Sequence, residues 1–326
     1  RSGATNSASH NTERVQYLCM VNMNVKIGSV ELRNPVVLAG GTCGVMGEIK
    51  DAIDLSKLGG ITTKSITKES REGNSPIRIV DHHYGMMNAI GLANEGISSF
   101  IQEQAPKATS IPTTVIGSVA GHTIDEYVAV ASAMDSVKGI ELVEVNVSCP
   151  NTTDGLEFGA CPKQLHALLQ EIRPVLKNTG MIVKLSAAAG DLRPHAQTAI
   201  ECGSDALTLI NTIPGLAIDV HSRKPVLSRG IGGFSGGAIH PIAVRVVREI
   251  YKDITKGTSI PIIGTGGIMR WEDAAEFILA GASAVGIGTA SYVNPAISIQ
   301  VASKLQTWAE KHDCSAINEL VGAMQC

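Results

Sequence analysis

The sequence is poor in aromatic residues, in paired cysteines and in long apolar runs. Aromatic residues make up 3% of the chain, and no apolar stretch approaches the roughly 18 to 20 residues that span a bilayer. The seven cysteines are scattered, with no CxxC pair, at Cys19, Cys43, Cys149, Cys161, Cys202, Cys314 and Cys326. This spacing predicts neither a disulfide framework nor a zinc or iron–sulfur site, so we expect no bound metal and reduced thiols in the cytoplasm.

Charge is also sparse. The formal net charge is −3, and no run of lysine or arginine indicates nucleic acid or an anionic membrane surface as a partner. By contrast, 44% of the residues are hydrophobic and 34 are glycine, which is enough for a large core joined by tight turns. Residues 1–22 are polar and lack an apolar signal core, so we interpret them as a leader or an expression remnant without fixed structure.

Short β-branched runs alternate with helical periodicity along the rest of the chain. The predicted strands are Pro35–Ala39, Gly60–Lys64, Thr113–Val119, Leu142–Ser148, Met181–Leu185, Ala206–Ile210, Pro261–Gly264 and Ala284–Ile287. An amphipathic segment follows each strand, the first near Gly47–Leu58, and parallel pairing is implied because each crossover needs its helix. We therefore predict an α/β protein in which residues 23–326 form one (β/α)8 TIM barrel. A doubly wound open sheet is the alternative fold.

Two predicted connections are unusually long. They run from Ser65 to Gly96 and from Asn211 to Ile239, and each follows the carboxyl end of a strand. Active sites of such barrels lie at those ends, and long loops in compact domains are commonly functional. The pattern therefore predicts a functional site between these two loops.

The most distinctive motif is NVSCPN, residues 146–151, at the end of the fourth strand. The thiol of Cys149 could take a proton from a substrate over the barrel mouth, and the amides of Asn146 and Asn151 offer donors and acceptors to a polar ring. An isolated free cysteine more often serves as packing, so the motif alone leaves both interpretations open. A thiol with a reference pKa of roughly 8.5 would also need tuning, or alkaline conditions, to act as a base.

Two lysines close predicted strands. Lys64 ends the second strand and Lys184 ends the fifth, and a desolvated ammonium needs an anionic partner. A substrate carboxylate or the electron-rich edge of a reduced flavin would serve, whereas the alternative is that each stem packs while its ammonium reaches water. Asn211 and Thr212 follow the sixth strand and supply further polar groups.

Glycine clusters follow the last two strands, at Gly264–Ile268 and Gly286–Thr289. Glycines let backbone N–H groups approach an anion, and loops after the seventh and eighth strands are the usual phosphate site of this barrel. The segment Ser235–Gly237 could close the same pocket. These clusters predict a phosphate-bearing cofactor.

Together these motifs resemble the dihydroorotate dehydrogenase family, most closely its class 1B catalytic subunit. The matching segments, in order from Val25 to Met324, are TKS, REGNSP, NAIGLAN, NVSCPN, VKLS, INT, GIGGFSGGAI, GTGGI and GIGTA. The resemblance implies an oxidoreductase that uses FMN to oxidise dihydroorotate to orotate in de novo pyrimidine synthesis. It also implies that Cys149 is the catalytic base and that Lys64 acts with it.

The resemblance further implies two sets of binding residues. The pyrimidine would be held by Lys64, Asn88, Ala89, Ile90, Gly91, Leu92, Asn146, Asn151, Asn211 and Thr212. FMN would contact Gly40, Lys64, Ser65, Ser118, Asn146, Lys184, Ile210, Gly236, Gly266, Gly267, Gly288 and Thr289. Three positions depart from the family pattern, which often has Ser at position 40, Asn at position 118 and Pro at Gly237.

The resemblance leaves the oxidant open. Class 1A enzymes use fumarate, whereas class 1B enzymes reach NAD⁺ through a second subunit that carries FAD and a 2Fe–2S cluster. The INT and GIGGFSGG segments favour class 1B, so we expect that partner subunit, in a homodimer or heterotetramer. Two other functions stay possible, a dihydropyrimidine dehydrogenase-like reductase and a non-catalytic flavin-binding paralogue. Asn151 favours orotate, because those reductases typically have His there, and the intact Cys149 and Lys64 argue against a silent paralogue.

Overall fold

In the computed structural model, which describes residues 21–46, 48–148 and 158–325, eight parallel strands form a closed barrel. The strands are β1 Val36–Leu38, β2 Gly60–Thr62, β3 Thr114–Val119, β4 Ile140–Asn146, β5 Gly180–Leu185, β6 Ala206–Leu209, β7 Ile262–Thr265 and β8 Ala284–Ile287. Each strand pairs with the next, and β8 returns to β1 with Val285 opposite Val36. The predicted single (β/α)8 barrel is confirmed, and the open-sheet alternative is wrong.

Helices surround the barrel and bury one face each. They are α1 Gly96–Ser99, α2 Ile124–Asp135, α3 Pro162–Ile172, α4 Arg193–Glu201, α5 His240–Ile250, α6 Trp271–Ala280, α7 Ala290–Val293 and α8 Ile297–Glu310. In α5 the buried residues recur three and four positions apart, at Ala243, Val246, Val247 and Ile250, which is the spacing of one helical face. No helix in the described ranges is long and apolar enough to cross a bilayer.

The first predicted amphipathic segment is not an α-helix in its described part. Residues 48–58 contain two short 3₁₀ helices, Glu48–Asp51 and Leu55–Lys57. Asp54 between them has extended backbone, and its carboxylate accepts the Ser56 N–H at 3.0 Å. This cap starts a new turn and so prevents one continuous helix.

The two long connections, predicted as loops, contain strands that pair with each other. Their antiparallel sheet, here called the loop sheet, has the order Ile213–Gly215, Gly232–Ser235, Gly85–Asn88 and Ile79–His82. Gly233 of the second connection lies opposite Asn88 of the first. The loop sheet therefore joins the two segments that follow β2 and β6 into one structure at the carboxyl end of the barrel.

The described chain begins with contacts to its own C-terminal region. Val21 is buried, and the Asn22 N–H donates to the Ser315 carbonyl at 2.9 Å. Val21 and Asn22, which fall within the predicted leader, therefore have fixed contacts, whereas residues 1–20 lie outside the described residues. A hairpin follows, Val25–Ile27 paired with Val30–Leu32.

Candidate active site

A first cavity lies between the barrel mouth and the loop sheet. It is lined by strand-end and loop residues, and most of the residues predicted to contact FMN are among them: Gly40, Lys64, Ser65, Asn146, Lys184, Ile210, Gly236, Gly266, Gly267, Gly288 and Thr289. The loop sheet adds apolar and polar side chains, including Ile79, Met86 and Asn88. The predicted cofactor residues therefore converge on one space although they come from all around the barrel.

A second cavity adjoins the first and is lined by most of the predicted substrate residues, whereas Lys64 lines only the first cavity. Its lining includes Asn88, Ala89, Ile90, Gly91, Leu92, Asn146, Asn211 and Thr212. Six of these eight also line the first cavity, namely Asn88, Ile90, Leu92, Asn146, Asn211 and Thr212. The shared wall means that molecules in the two cavities can contact each other. Cys149 and Asn151 lie outside the described residues.

A hydrogen-bond network fixes the side chain of Asn146 at the end of β4. Its Nδ2 donates to Ser65 Oγ at 3.2 Å, and its Oδ1 accepts from Asn211 Nδ2 at 3.1 Å. Asn211 Nδ2 also donates to Ser148 Oγ at 2.9 Å, and the Tyr127 hydroxyl donates to the Asn146 carbonyl at 2.6 Å. The orientation of both amides is therefore set by protein contacts, which prepares them to recognise a polar ring.

Lys64 is a cation without a counterion in the part of the chain that the structure describes. No carboxylate there forms an ion pair with its Nζ, and Lys64 lines the first cavity. Burial, with a smaller effect of nearby Arg78, lowers the pKa of Lys64 below its ordinary value of 10.5. An anionic ligand would supply the missing charge and raise this pKa again.

Lys184, the other predicted strand-end lysine, has a counterion that the sequence analysis missed. Its Nζ lies 3.7 Å from Glu144 Oε1, and both side chains are buried. The Thr208 hydroxyl donates to the other oxygen, Glu144 Oε2, at 2.8 Å. The sequence did contain a signal for this counterion, because Glu144 is a charged residue inside the apolar run of β4.

The glycine loop after β7 has a conformation that favours glycine. Gly266 and Gly267 have φ values of +141° and +70°. A Cβ at Gly267 would lie 2.7 Å from His240 Cβ and 2.8 Å from the Gly236 carbonyl oxygen. The N–H groups of Gly266 and Gly267 donate to no carbonyl of the described residues. They are therefore available to an anion at the edge of the first cavity.

His240, the first residue of α5, supports this loop and was not singled out from the sequence. Its Nδ1 lies 3.2 Å from the Gly266 carbonyl oxygen, and its Nε2 lies 3.1 Å from Glu276 Oε2. Only 8% of His240 is exposed. A histidine opening a helix gives no sequence signal for this contact, because Gly266 is distant in sequence.

Ser118, which was predicted to contact FMN, does not line the first cavity. It is 1% exposed, and its Oγ is 2.8 Å from Ser65 Oγ. Its N–H donates to Thr63 Oγ1 at 2.8 Å. Ser118 therefore lies behind Ser65 and contacts that cavity-lining residue, and its contact with FMN stays a prediction.

The absence of a bound metal stays a prediction. One described group, His240, Asp273 and Glu276, has potential ligand atoms within 4.8 Å of one another. Asp273 Oδ2 already accepts the N–H groups of Met269 and Arg270, at 2.8 and 3.0 Å. These contacts assign the Asp273 carboxylate to the cap of α6, while His240 and Glu276 contact each other.

Comparison with known proteins gives a consistent result. The family model described as Dihydroorotate dehydrogenase matches residues 22–308. A protein of Bacteroides thetaiotaomicron named "Dihydroorotate dehydrogenase B (NAD(+)), catalytic subunit" is 40% identical over 307 residues, covering 94% of this chain and 100% of the relative. Proteins with the same name from Trichlorobacter lovleyi and Alkaliphilus metalliredigens are 43% and 40% identical, covering 93% of this chain and 98% and 99% of the relatives.

Proposed function

The chain belongs to the dihydroorotate dehydrogenase family, and we propose that it oxidises dihydroorotate to orotate in de novo pyrimidine synthesis. The observation that carries this proposal is the pair of adjoining cavities with a shared wall of Asn88, Asn146 and Asn211. Amide side chains complement the ring amides of dihydroorotate, and the ammonium of Lys64, which has no acidic partner in the described ranges, complements its carboxylate.

The first cavity fits FMN. Gly288 lines it without a positive φ, and a Cβ there would meet no protein atom closer than 3.8 Å, so the protein itself does not require glycine. A side chain would instead occupy ligand space. The loops of Gly266, Gly267, Gly288 and Thr289 would hold the phosphate, while Lys64 and Lys184 would lie along the electron-rich edge of the ring system. Bound FMN supplies the acceptor for the hydride that leaves C6 of dihydroorotate.

The residues of the chain would then bind, orient and deprotonate the substrate. Lys64 would hold the carboxylate, and Asn88, Asn146, Asn151 and Asn211 would hold the amide edges. The Cys149 thiolate would accept the proton from C5, which the adjacent C4 carbonyl acidifies. As this proton and the hydride from C6 leave, the C5–C6 double bond of orotate forms. The loop sheet would limit the access of water to the two cavities.

The choice of substrate can be tested by mixing the oxidised protein anaerobically with dihydroorotate or with dihydrouracil, which lacks the carboxylate. We expect the visible flavin absorbance to bleach with dihydroorotate alone. Bleaching with dihydrouracil would instead identify a dihydropyrimidine dehydrogenase-like reductase. Bleaching with neither compound would identify a non-catalytic flavin-binding protein.

We further propose that electrons pass to NAD⁺ through a second subunit that carries FAD and a 2Fe–2S cluster. The relatives named as catalytic subunits of an NAD(+) enzyme support this assignment. We also place the enzyme in the cytoplasm, where its scattered cysteines would stay reduced, and assign FMN binding to one barrel domain. Co-expression with such a subunit should yield NAD⁺ reduction by dihydroorotate, whereas fumarate reduction by the chain alone would favour class 1A.

The contact of His240 with the glycine loop predicts an effect on FMN affinity. His240→Ala should raise the dissociation constant of FMN by about threefold to tenfold, because the Gly266 carbonyl loses a hydrogen bond that positions the loop. The measurement is titration of the apoprotein with FMN, followed by flavin fluorescence. His312→Ala is the matched control, since that imidazole contacts the Trp308 carbonyl and does not line the cavity. Equal affinities of the two variants would contradict the role of His240.

A further inference from the structure

A buried ion pair inside the barrel connects three neighbouring strands. Glu144 on β4 is 4% exposed and Lys184 on β5 is 8% exposed. The distance from Lys184 Nζ to Glu144 Oε1 is 3.7 Å, and the Thr208 hydroxyl on β6 donates to Glu144 Oε2 at 2.8 Å. Lys184 lies in register with Asn146 on one side and with Thr208 on the other. The carboxylate is therefore held in place from both sides.

The carboxylate changes the charge that the first cavity presents. Among the described residues that line this cavity, the side chains charged at neutral pH are Lys64 and Lys184, and none is acidic. Glu144 does not line the cavity but is in contact with Lys184. It therefore offsets one of the two positive charges, so that, among the described residues, Lys64 is left as the uncompensated cation of this cavity.

We propose that Glu144 is a positioning residue that holds the Lys184 ammonium and, by offsetting its charge, keeps the reduction potential of the bound flavin low. This inference rests on the proposed function, because it requires FMN in the first cavity. It assigns different roles to the two strand-end lysines: Lys64 responds to the substrate anion, whereas Lys184 belongs to a neutral pair.

The physical reason is the charge of the reduced cofactor. A reduced flavin carries negative charge at the edge where Lys184 would lie, so an uncompensated ammonium would favour the reduced form and raise the potential. A neighbouring carboxylate opposes this effect of the ammonium. The low dielectric of the barrel interior strengthens the opposing effect of the carboxylate. A low potential suits a flavin that must pass its electrons on to a poor oxidant such as NAD⁺.

The test is the midpoint potential of the FMN-loaded chain, measured by chemical reduction against a reference dye and without substrate. Glu144→Gln keeps an acceptor for the Thr208 hydroxyl but removes the charge. It should favour the reduced flavin by about tenfold or more, which for a two-electron couple is a positive shift of about 30 mV or more. Lys184→Gln should shift the potential in the negative direction. On the Lys184→Gln background, Glu144→Gln should lose most of its positive shift.

Glu141→Gln is the matched control, because Glu141 lies on the same strand but is exposed. The midpoint potential of the flavin in Glu141→Gln should equal that in the unmodified chain. An unchanged potential in Glu144→Gln, or the same shift with and without Lys184, would overturn the proposal, even if thermal stability fell. If Glu144→Gln does not fold, Glu144→Asp should give a smaller shift of the same sign, and no shift there would equally overturn it. Failure of the chain to bind FMN would refute the proposed function instead.

Discussion

Replacing Cys149 with alanine is expected to slow the reduction of bound flavin by dihydroorotate by a factor of about 10² to 10⁴, while FMN stays bound. The reason is that alanine cannot accept the C5 proton, whereas the residues proposed to hold the cofactor are unchanged. The measurement is stopped-flow absorbance under anaerobic conditions, with flavin content determined separately. Cys202→Ala is the matched control, because Cys202 is a free cysteine at the end of α4 that lines neither cavity.

The pH dependence of the same reaction gives a second criterion for Cys149. In the unmodified enzyme the reduction rate should rise with pH as the thiol, whose reference pKa is roughly 8.5, becomes thiolate. This rise should be absent in Cys149→Ala and preserved in Cys202→Ala. A wild-type rate in Cys149→Ala would show that another group takes the proton.

Replacing Lys64 with methionine should lower kcat/KM for dihydroorotate by about 100-fold, because the substrate carboxylate loses a charged hydrogen-bond donor. Stability should behave differently from activity. Burial lowers the pKa of Lys64, so the folded protein disfavours the ammonium relative to the unfolded chain. This penalty is present below the folded-state pKa and is relieved as pH rises through it. At neutral pH, Lys64→Met should therefore keep or raise the Tm.

The control for Lys64 is Lys68→Met, which removes an exposed lysine from the same connection. It should leave both kcat/KM and Tm unchanged. In the unmodified enzyme kcat/KM should also fall at alkaline pH as Lys64 loses its proton, below the ordinary pKa of 10.5. A lower Tm with unchanged kcat/KM in Lys64→Met would identify Lys64 as a structural residue.

The barrel was predictable because its strands carry strong local signals. The predicted strand Ala284–Ile287 has the same bounds in the structure, and Thr113–Val119 differs by one residue at its start. Such strands are buried on both faces and read as short, β-branched apolar runs. Their order in the barrel follows from the alternation with helices, since parallel neighbours require crossovers.

The loop sheet was not predictable in the same way. The strand Gly232–Ser235 reads GGFS and contains two glycines, which are poor strand formers. Its pairing with Gly85–Asn88 joins segments separated by well over a hundred residues, and no periodicity within either segment indicates the other. The predicted helix near Gly47–Leu58 is a similar case. The apolar pattern predicted one helix, but the side-chain cap at Asp54 starts a separate turn.

The sequence predicted residues that line the two adjoining cavities, but not how their charges are balanced. Their positions at strand ends predicted the same role for Lys64 and Lys184, that of a cation that binds an anionic ligand. In the structure, Lys184 is paired with Glu144, whereas Lys64 has no acidic partner in the described ranges. The family resemblance predicted that Ser118 contacts FMN, and in the structure its hydroxyl contacts that of Ser65. These distinctions depend on side-chain contacts between strands, which a single sequence does not specify.

The loop sheet places an evolutionary constraint on the enzyme. The strand that ends at Asn88 is bonded to Gly232–Ser235, and Ser235 in turn donates to the Met86 carbonyl at 3.2 Å and accepts from Thr289 Oγ1 at 2.8 Å. A chimera that takes residues 65–96 alone from a relative would combine two stretches that were not matched to each other, whereas one that takes residues 211–239 as well would keep the matched side-chain contacts. Substitutions in one of these two distant stretches are therefore expected to affect the conformation of the other.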